Sequence, residues 1–177
     1  MTGPVLVLVG PPASGKTTVG TAVAGARGLP FRDTDRDVEA GSGTTIADLF
    51  VQHGEAHFRA LEQRAVERAL VEHAGVLALG GGAVTSPSVR ELLVAHGRAG
   101  GPVVWLDVDV ASAARRVGFS RDRPLLAVNP RAMLRTMLEE RAPLYAEVAT
   151  HRVATAGRPP EEVVAEVLAV LTPEGTA

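Results

Sequence analysis

One short glycine-rich stretch contains the only lysine of the chain. Of its 18 basic residues, all but Lys16 are arginines. A lysine ammonium is compact and can enter a narrow site between small anionic oxygens, where a planar guanidinium does not fit. The surrounding residues 10–17, GPPASGKT, match the phosphate-binding loop, in which backbone amides surround phosphates, the lysine reaches the β and γ oxygens and the hydroxyl ligates Mg²⁺. We therefore expect Lys16 to bind nucleotide phosphates.

Two carboxylates follow at alternate positions, Asp33 and Asp35, at the end of a predicted strand. Ligands of open α/β sheets bind outside the carboxyl ends of the strands, so both side chains are expected beside the phosphate loop. Either aspartate alone could instead cap a helix. Phosphoryl transfer needs one carboxylate near Mg²⁺ and another to accept or orient a substrate hydroxyl. The two together favour a functional interpretation.

A second set of polar residues lies further along the chain. Arg59 and Glu62 are three residues apart on a predicted helix, residues 55–74, and are close enough to pair, although a plain surface ion pair would have the same spacing. Gly80, Gly81 and Gly82 directly follow a predicted strand. A backbone without side chains can be approached closely by a ligand, but three glycines also make an ordinary loop.

The elements that must position these residues alternate regularly. Five apolar runs separated by helical segments predict an α/β fold with a parallel, doubly wound sheet. The predicted strands are residues 4–9, 30–33, 76–79, 103–106 and 152–154. Two segments interrupt the alternation: a helical insertion at residues 35–74, and residues 118–130, which carry Arg121 and Arg123. Such insertions on a nucleotide-binding sheet usually bind the other substrate or close over it.

Composition limits the other possibilities. With 177 residues, 46% of them hydrophobic, we expect one domain over residues 1–172 and a disordered tail at 173–177. A net charge of −2 and 3% aromatic residues argue against a nucleic-acid surface. The absence of cysteine excludes disulfides, thiolate metal sites and a cysteine nucleophile. The apolar runs are too short for a membrane span and no basic leader precedes the first strand, so we expect a cytoplasmic protein without membrane partners. We also expect a monomer.

The chain resembles shikimate kinase over nearly its whole length. The resemblance rests on the stretches GPPASGKTT, DTD, TIADLFVQHGEAHFRALE, LALGGGAV, RDRPLL and RAPLYAEVA. It implies a P-loop kinase fold similar to that of nucleoside monophosphate kinases, with a five-stranded parallel sheet flanked by helices, a substrate-binding insertion and a mobile lid. It also implies ATP-dependent phosphorylation of shikimate at its 3-hydroxyl, giving shikimate 3-phosphate for chorismate and aromatic amino acid biosynthesis, with Mg²⁺ as the metal.

The resemblance also assigns roles to individual residues. Lys16, Asp35 and Arg123 would be catalytic, with Arg123 reaching the transferring phosphate from the lid. The implied nucleotide-binding residues are Gly10, Ala13, Ser14, Gly15, Lys16, Thr17, Thr18, Arg116, Arg123, Arg158 and Pro160. Thr17 and Asp33 would lie at the metal. The implied shikimate-binding residues are Asp35, Phe50, Phe58, Arg59, Glu62, Gly80, Gly81, Gly82 and Arg141. Shikimate carries a carboxylate, which the forked guanidiniums of Arg59 and Arg141 suit.

One departure and two alternatives remain open at this point. Ala13 stands where the loop of this family often has glycine, and we expect the alanine to be tolerated through a negative φ. Another small-molecule kinase on the same fold, for gluconate or a nucleoside monophosphate, would share the phosphate loop, but the glycine triplet and the Arg59/Glu62 pair count against it. A regulatory ATPase without an acceptor would need neither Asp35 nor a separate arginine pocket.

Overall fold

Five parallel strands form the centre of the fold in the computed structural model, which describes residues 3–117 and 130–172. The strands are β1 (Leu6–Val9), β2 (Phe31–Asp33), β3 (Val76–Ala78), β4 (Val103–Asp107) and β5 (His151–Ala154). Their order in the sheet is β2-β3-β1-β4-β5, and every neighbouring pair is parallel. The predicted parallel sheet is therefore confirmed. β1 is the central strand, so the loop that follows it lies between the ends of β3 and β4.

Helices cover both faces of the sheet. They are α1 (Lys16–Arg27), α2 (Thr34–Ser42), α3 (Ile46–Glu72), α4 (Pro87–Arg98), α5 (Val110–Val117), α6 (Pro130–Val148) and α7 (Pro160–Val170), with one 3₁₀ turn at Ala83–Thr85. Successive side chains of a strand point to opposite faces. Val7 and Val9 accordingly pack in one core with residues of α3, α4 and α6, while Leu6 and Leu8 pack with α1 and α7. Burial on both faces explains why β1 is an uninterrupted apolar run.

The insertion between β2 and β3 consists of α2 and α3. Thr45 caps α3 by accepting a hydrogen bond from the Asp48 amide at 3.1 Å, and its hydroxyl donates to the Asp48 carboxylate at 2.8 Å. Thr45 is therefore the N-cap of this helix. α3 is kinked at Gly54, whose φ is 80° and ψ 171°. The second segment therefore begins at Glu55, as predicted, and ends at Glu72, two residues earlier than predicted.

Some sequence-based predictions fall outside the described residues. These are the lid predicted at residues 118–130, apart from Pro130 at the start of α6, the Arg121 and Arg123 side chains within it, and the tail at residues 173–177. Within the described ranges, 3–117 and 130–172, none of the helices combines the length and the apolar character that crossing a bilayer requires.

Candidate active site

The phosphate loop connects β1 to α1 and depends on two glycines. Gly10 has a φ of 149°, and a Cβ there would press against the Leu106 carbonyl oxygen and the Ser14 hydroxyl. Gly15 has a φ of 96° and precedes the first residue of α1 without supplying a capping side chain. The amides at this helix N-terminus can therefore receive an anion, which the helix dipole also favours.

Lys16 folds back over this loop. Its ammonium donates to the carbonyl oxygens of Gly10 at 2.8 Å and Pro11 at 2.9 Å. A compact ammonium with three rotatable donors suits two oxygens placed this closely. The side chain is thus held at the loop, and its binding of nucleotide phosphates stays a prediction.

The expectation of a negative φ at Ala13 is wrong, because its φ is 63°. The Ser14 amide donates to the Pro11 carbonyl oxygen at 3.2 Å, which closes a turn with Pro12 and Ala13 at its centre. Proline at the second position and a positive φ at the third are features of a type II turn. Arg116 also fixes this turn by donating to the Ala13 carbonyl oxygen at 3.0 Å. The fold thus holds an alanine in a backbone conformation that costs about 1 kcal/mol.

We expect Ala13→Gly to raise the free energy of unfolding by about 0.5–1 kcal/mol, because glycine removes this strain. The matched control is Ala22→Gly on the exposed side of α1, where glycine should lower stability by about 1 kcal/mol. Urea denaturation measures both. If both substitutions lowered the free energy of unfolding equally, the inference that Ala13 is strained would be contradicted.

The Asp33 side chain forms hydrogen bonds with both the phosphate loop and the insertion. One carboxylate oxygen caps α2 by accepting from the Asp35 amide at 3.1 Å, and the other accepts from the Thr17 hydroxyl at 3.0 Å. The capping interpretation of Asp33 is therefore confirmed, and its role at a metal stays a prediction. A cavity of about 210 Å³ opens here. It is lined by Pro12, Ala13, Gly15, Lys16, Thr17, Thr18, Asp33, Asp35, Leu79 and Gly81.

On the insertion, Arg59 and Glu62 form the predicted pair at 2.6 Å, and Glu62 is only 3% exposed. Arg59 also bonds the Glu55 carboxylate at 3.2 Å. Burial raises the pKa of Glu62, and the nearby Asp35 carboxylate raises it further, against the opposing effect of Arg59 and Arg141. Burial alone would lower the pKa of Arg59, but its two glutamate partners outweigh burial and hold that pKa above its ordinary value. Arg59 therefore stays charged.

Two aromatic rings lie near Arg59 on the insertion. The rings of Phe50 and Phe58 lie 4.8 Å apart between centroids, and the Arg59 guanidinium lies 5.2 Å from the Phe58 centroid. Phe58 is buried in a small core of the insertion together with Val38 and Leu49. This packing supports the helix that carries Arg59 and Glu62.

Each glycine of the triplet lies close to a neighbouring residue. A Cβ at Gly80 would collide with the carboxylates of Asp35 and Glu62, and one at Gly82 with the Arg59 guanidinium. A Cβ at Gly81 would press on Pro12 of the phosphate loop. The triplet is therefore not an ordinary loop: it joins the phosphate loop to the cluster of charged side chains on the insertion.

Two residues at this junction were missed by sequence reasoning. The buried Thr34 hydroxyl accepts from the Gly80 amide at 3.0 Å. Tyr145 on α6 donates its hydroxyl to the Gly81 carbonyl oxygen at 2.5 Å, beside Arg141, which donates to the same oxygen at 3.1 Å. Two features of the sequence could have indicated these residues. Thr34 lies between the two aspartates, and Tyr145, the only tyrosine of the chain, lies four residues after Arg141 and so on the same helix face.

Three of the implied nucleotide-binding residues, Arg116, Arg158 and Pro160, lie outside residues 10–18, and the two arginines make different contacts. Arg116 donates to the carbonyl oxygens of Ala13 and Thr155, both at 3.0 Å, so it links the phosphate loop to the loop after β5. The Arg158 guanidinium instead pairs with Glu166 at 2.6 Å and lies along α7, which Pro160 begins. The structure thus places Arg116, but not the charged end of Arg158, at the phosphate loop.

Comparison with known proteins agrees with this arrangement. The family model described as shikimate kinase matches residues 12–172. The chain is 56% identical to the shikimate kinase of Salinispora arenicola over 95% of this chain and 98% of that protein. It is 53% identical to that of Streptomyces avermitilis over 97% of each. A solved structure of shikimate kinase from Acinetobacter baumannii in complex with shikimate superposes with a TM-score of 0.88, at 36% identity, over 97% of this chain and 93% of that one. The chain therefore belongs to the shikimate kinase family.

Proposed function

We propose that the chain transfers the γ-phosphoryl group of ATP to the 3-hydroxyl of shikimate, giving shikimate 3-phosphate. The observation that carries this proposal is the position of the glycine triplet. Gly81 lies against Pro12 of the phosphate loop, while Gly80 and Gly82 lie against the charged side chains of Asp35, Glu62 and Arg59. A donor phosphate and an anionic acceptor bound on the two sides of this backbone would be adjacent, which in-line phosphoryl transfer requires.

On the nucleotide side, the loop amides and the Lys16 ammonium would bind the phosphates of ATP. The Thr17 hydroxyl and the Asp33 carboxylate, already in contact, are oxygen donors of the kind that Mg²⁺ prefers, and they would hold it. Bound there, Mg²⁺ would neutralise charge on the β and γ phosphates.

On the acceptor side, Arg59 and Arg141 would bind the carboxylate of shikimate, and Glu62 would hold Arg59 in place. Asp35 would orient the 3-hydroxyl and accept its proton as the new oxygen–phosphorus bond forms and the bond between the γ-phosphorus and the β-phosphate oxygen breaks. Arg123 lies outside the described residues, so its action on the transferring phosphoryl group stays a prediction.

The function is tested by measuring ADP release with a coupled assay in the presence of ATP and Mg²⁺. We expect turnover with shikimate and none with gluconate or nucleoside monophosphates. ADP release at the same rate without any acceptor would instead identify a regulatory ATPase. Preferred turnover of gluconate or a nucleoside monophosphate would identify another kinase on this fold.

The glycine triplet offers a sharper test. We expect Gly80→Ala to raise the KM for shikimate at least about tenfold, because the added methyl displaces the carboxylates of Asp35 and Glu62 from their positions. Gly41→Ala on α2 is the control, since a Cβ there meets no atom within 4 Å. Nucleotide titration should show that both variants still bind ATP. An unchanged KM in Gly80→Ala would contradict the assignment of this pocket to shikimate.

A monomeric state and a cytoplasmic location also stay predictions. Sedimentation equilibrium at the concentrations used for kinetics would measure the first directly. A dimer at those concentrations would overturn it.

A further inference from the structure

Tyr145 is a buried residue of α6 that the proposed reaction leaves without a role. Its side chain is only 1% exposed, and its hydroxyl donates to the Gly81 carbonyl oxygen at 2.5 Å. Burial raises the pKa of this hydroxyl to about 12. The hydroxyl is therefore protonated, and able to donate, throughout the pH range in which kinases work. A buried tyrosine hydroxyl generally finds one partner, and here that partner belongs to the substrate pocket.

The Gly81 carbonyl oxygen receives two donors from one face of α6. Arg141 lies one helical turn before Tyr145 and donates to the same oxygen at 3.1 Å. A run of three glycines has wide backbone freedom, so its conformation must be fixed by its neighbours. Two hydrogen bonds on one carbonyl fix the plane of the peptide between Gly81 and Gly82. This peptide is trans, so the Gly82 N–H points away from Tyr145.

The ring of Tyr145 is itself held by the sheet. It stacks on Trp105 of β4, with centroids 5.7 Å apart and an interplanar angle of 29°. The Arg152 guanidinium lies 4.6 Å from the centroid of the Trp105 ring and pairs with Asp107 at 2.6 Å. A well-packed ring on a central sheet has little rotational freedom. The Tyr145 hydroxyl therefore has a fixed position from which it can hold the Gly81 carbonyl in place.

We propose that Tyr145 is a positioning residue for acceptor binding: it fixes the Gly81 carbonyl, and the carbonyl in turn holds Arg141. An arginine side chain has about 2 kcal/mol of rotamer entropy to lose on binding a carboxylate. With one Nη on the fixed carbonyl and its guanidinium beside the Tyr145 hydroxyl, Arg141 has lost part of that freedom in advance. This inference rests on the proposed function, because it takes the carboxylate of shikimate as the ligand of Arg141.

The test is a double-mutant cycle of Tyr145→Phe and Arg141→Ala. Phenylalanine keeps the ring and removes only the hydroxyl. We expect Tyr145→Phe to raise the KM and the Kd for shikimate about fivefold, as expected for one lost hydrogen bond, with kcat and the KM for ATP changed less than about twofold. In the Arg141→Ala background the same substitution should change the Kd for shikimate less than about twofold, because it acts through Arg141.

Binding can be followed without turnover. Trp105 is the only tryptophan of the chain and stacks on Tyr145, so its fluorescence can be titrated with shikimate in every variant. Thr150→Val is the control for stability. Its hydroxyl exchanges hydrogen bonds of 2.9 and 3.0 Å with the backbone of Val103, on β4 away from the triplet. We expect this variant to unfold more easily but to keep the wild-type Kd for shikimate.

The outcomes separate the inference from the function on which it rests. A wild-type Kd in Tyr145→Phe, with a weakened Kd in Arg141→Ala, would overturn the role of Tyr145 and leave the proposed pocket intact. An equal effect of Tyr145→Phe in both backgrounds would overturn the action through Arg141. A wild-type Kd in Arg141→Ala would overturn the proposed carboxylate site, and the inference with it.

Discussion

Lys16→Arg is expected to lower kcat/KM for ATP on the order of 10²-fold or more, although the charge is conserved. The lysine ammonium sits between the carbonyl oxygens of Gly10 and Pro11, at 2.8 and 2.9 Å. A planar guanidinium is wider and directs its donors along a fixed fork, so it cannot reproduce these contacts and also reach the phosphate oxygens. The coupled ADP-release assay at varied ATP measures the change.

Arg27→Lys is the matched control for this prediction. It makes the reverse exchange at the other end of α1, where Arg27 donates to the Leu171 carbonyl oxygen on the surface. We expect wild-type kinetics from it. Wild-type turnover by Lys16→Arg would show that the site needs only a positive charge, and that the small size of the lysine ammonium does not matter.

Asp35→Asn is expected to lower kcat by about 10²-fold or more while ATP binding changes little. The carboxylate of Asp35 lies against Gly80 beside that of Glu62 and lines the cavity of the phosphate loop. Asparagine has nearly the same shape but cannot accept the proton of the attacking hydroxyl. Single-turnover kinetics and nucleotide titration measure the two quantities separately.

The control for Asp35 is Asp37→Asn on the same helix. Asp37 pairs with Arg32 at 2.7 Å, on the part of α2 that faces β2. Loss of this pair should leave kcat near the wild-type value, because a partly exposed ion pair contributes little. If Asp35→Asn instead weakened ATP binding as much as it slowed turnover, Asp35 would belong with the metal ligands.

The local features of the fold could be predicted from the sequence. The apolar run of β1, the glycines that follow it and the cap at Thr45 are determined by residues within a few positions of one another. The pairing of Arg59 with Glu62 follows from their spacing of three on a helix. For these features, backbone geometry alone brings the groups together, so the linear pattern is sufficient.

The contacts that the sequence did not reveal join distant segments. Thr34 and Gly80 are 46 residues apart, and Tyr145 and Gly81 are 64 apart. Their meeting depends on the strand order β2-β3-β1, which an alternation of strands and helices does not specify. The positive φ of Ala13 is fixed partly by Arg116, 103 residues away. No local pattern could show that an alanine would be held in that conformation.

The shared carboxylate of Asp33 also limits how this enzyme can be recombined with related kinases. One oxygen caps α2 at the start of the insertion and the other accepts from Thr17 of the phosphate loop, so this side chain links the two parts. A chimaera that exchanged the insertion together with residue 33 for a non-acidic residue would lose a helix cap and a partner of Thr17 in the same step. A junction placed after Asp33 keeps both. A graft that begins after Asp35 therefore keeps the cap of α2, the partner of Thr17 and the contact between Thr34 and Gly80.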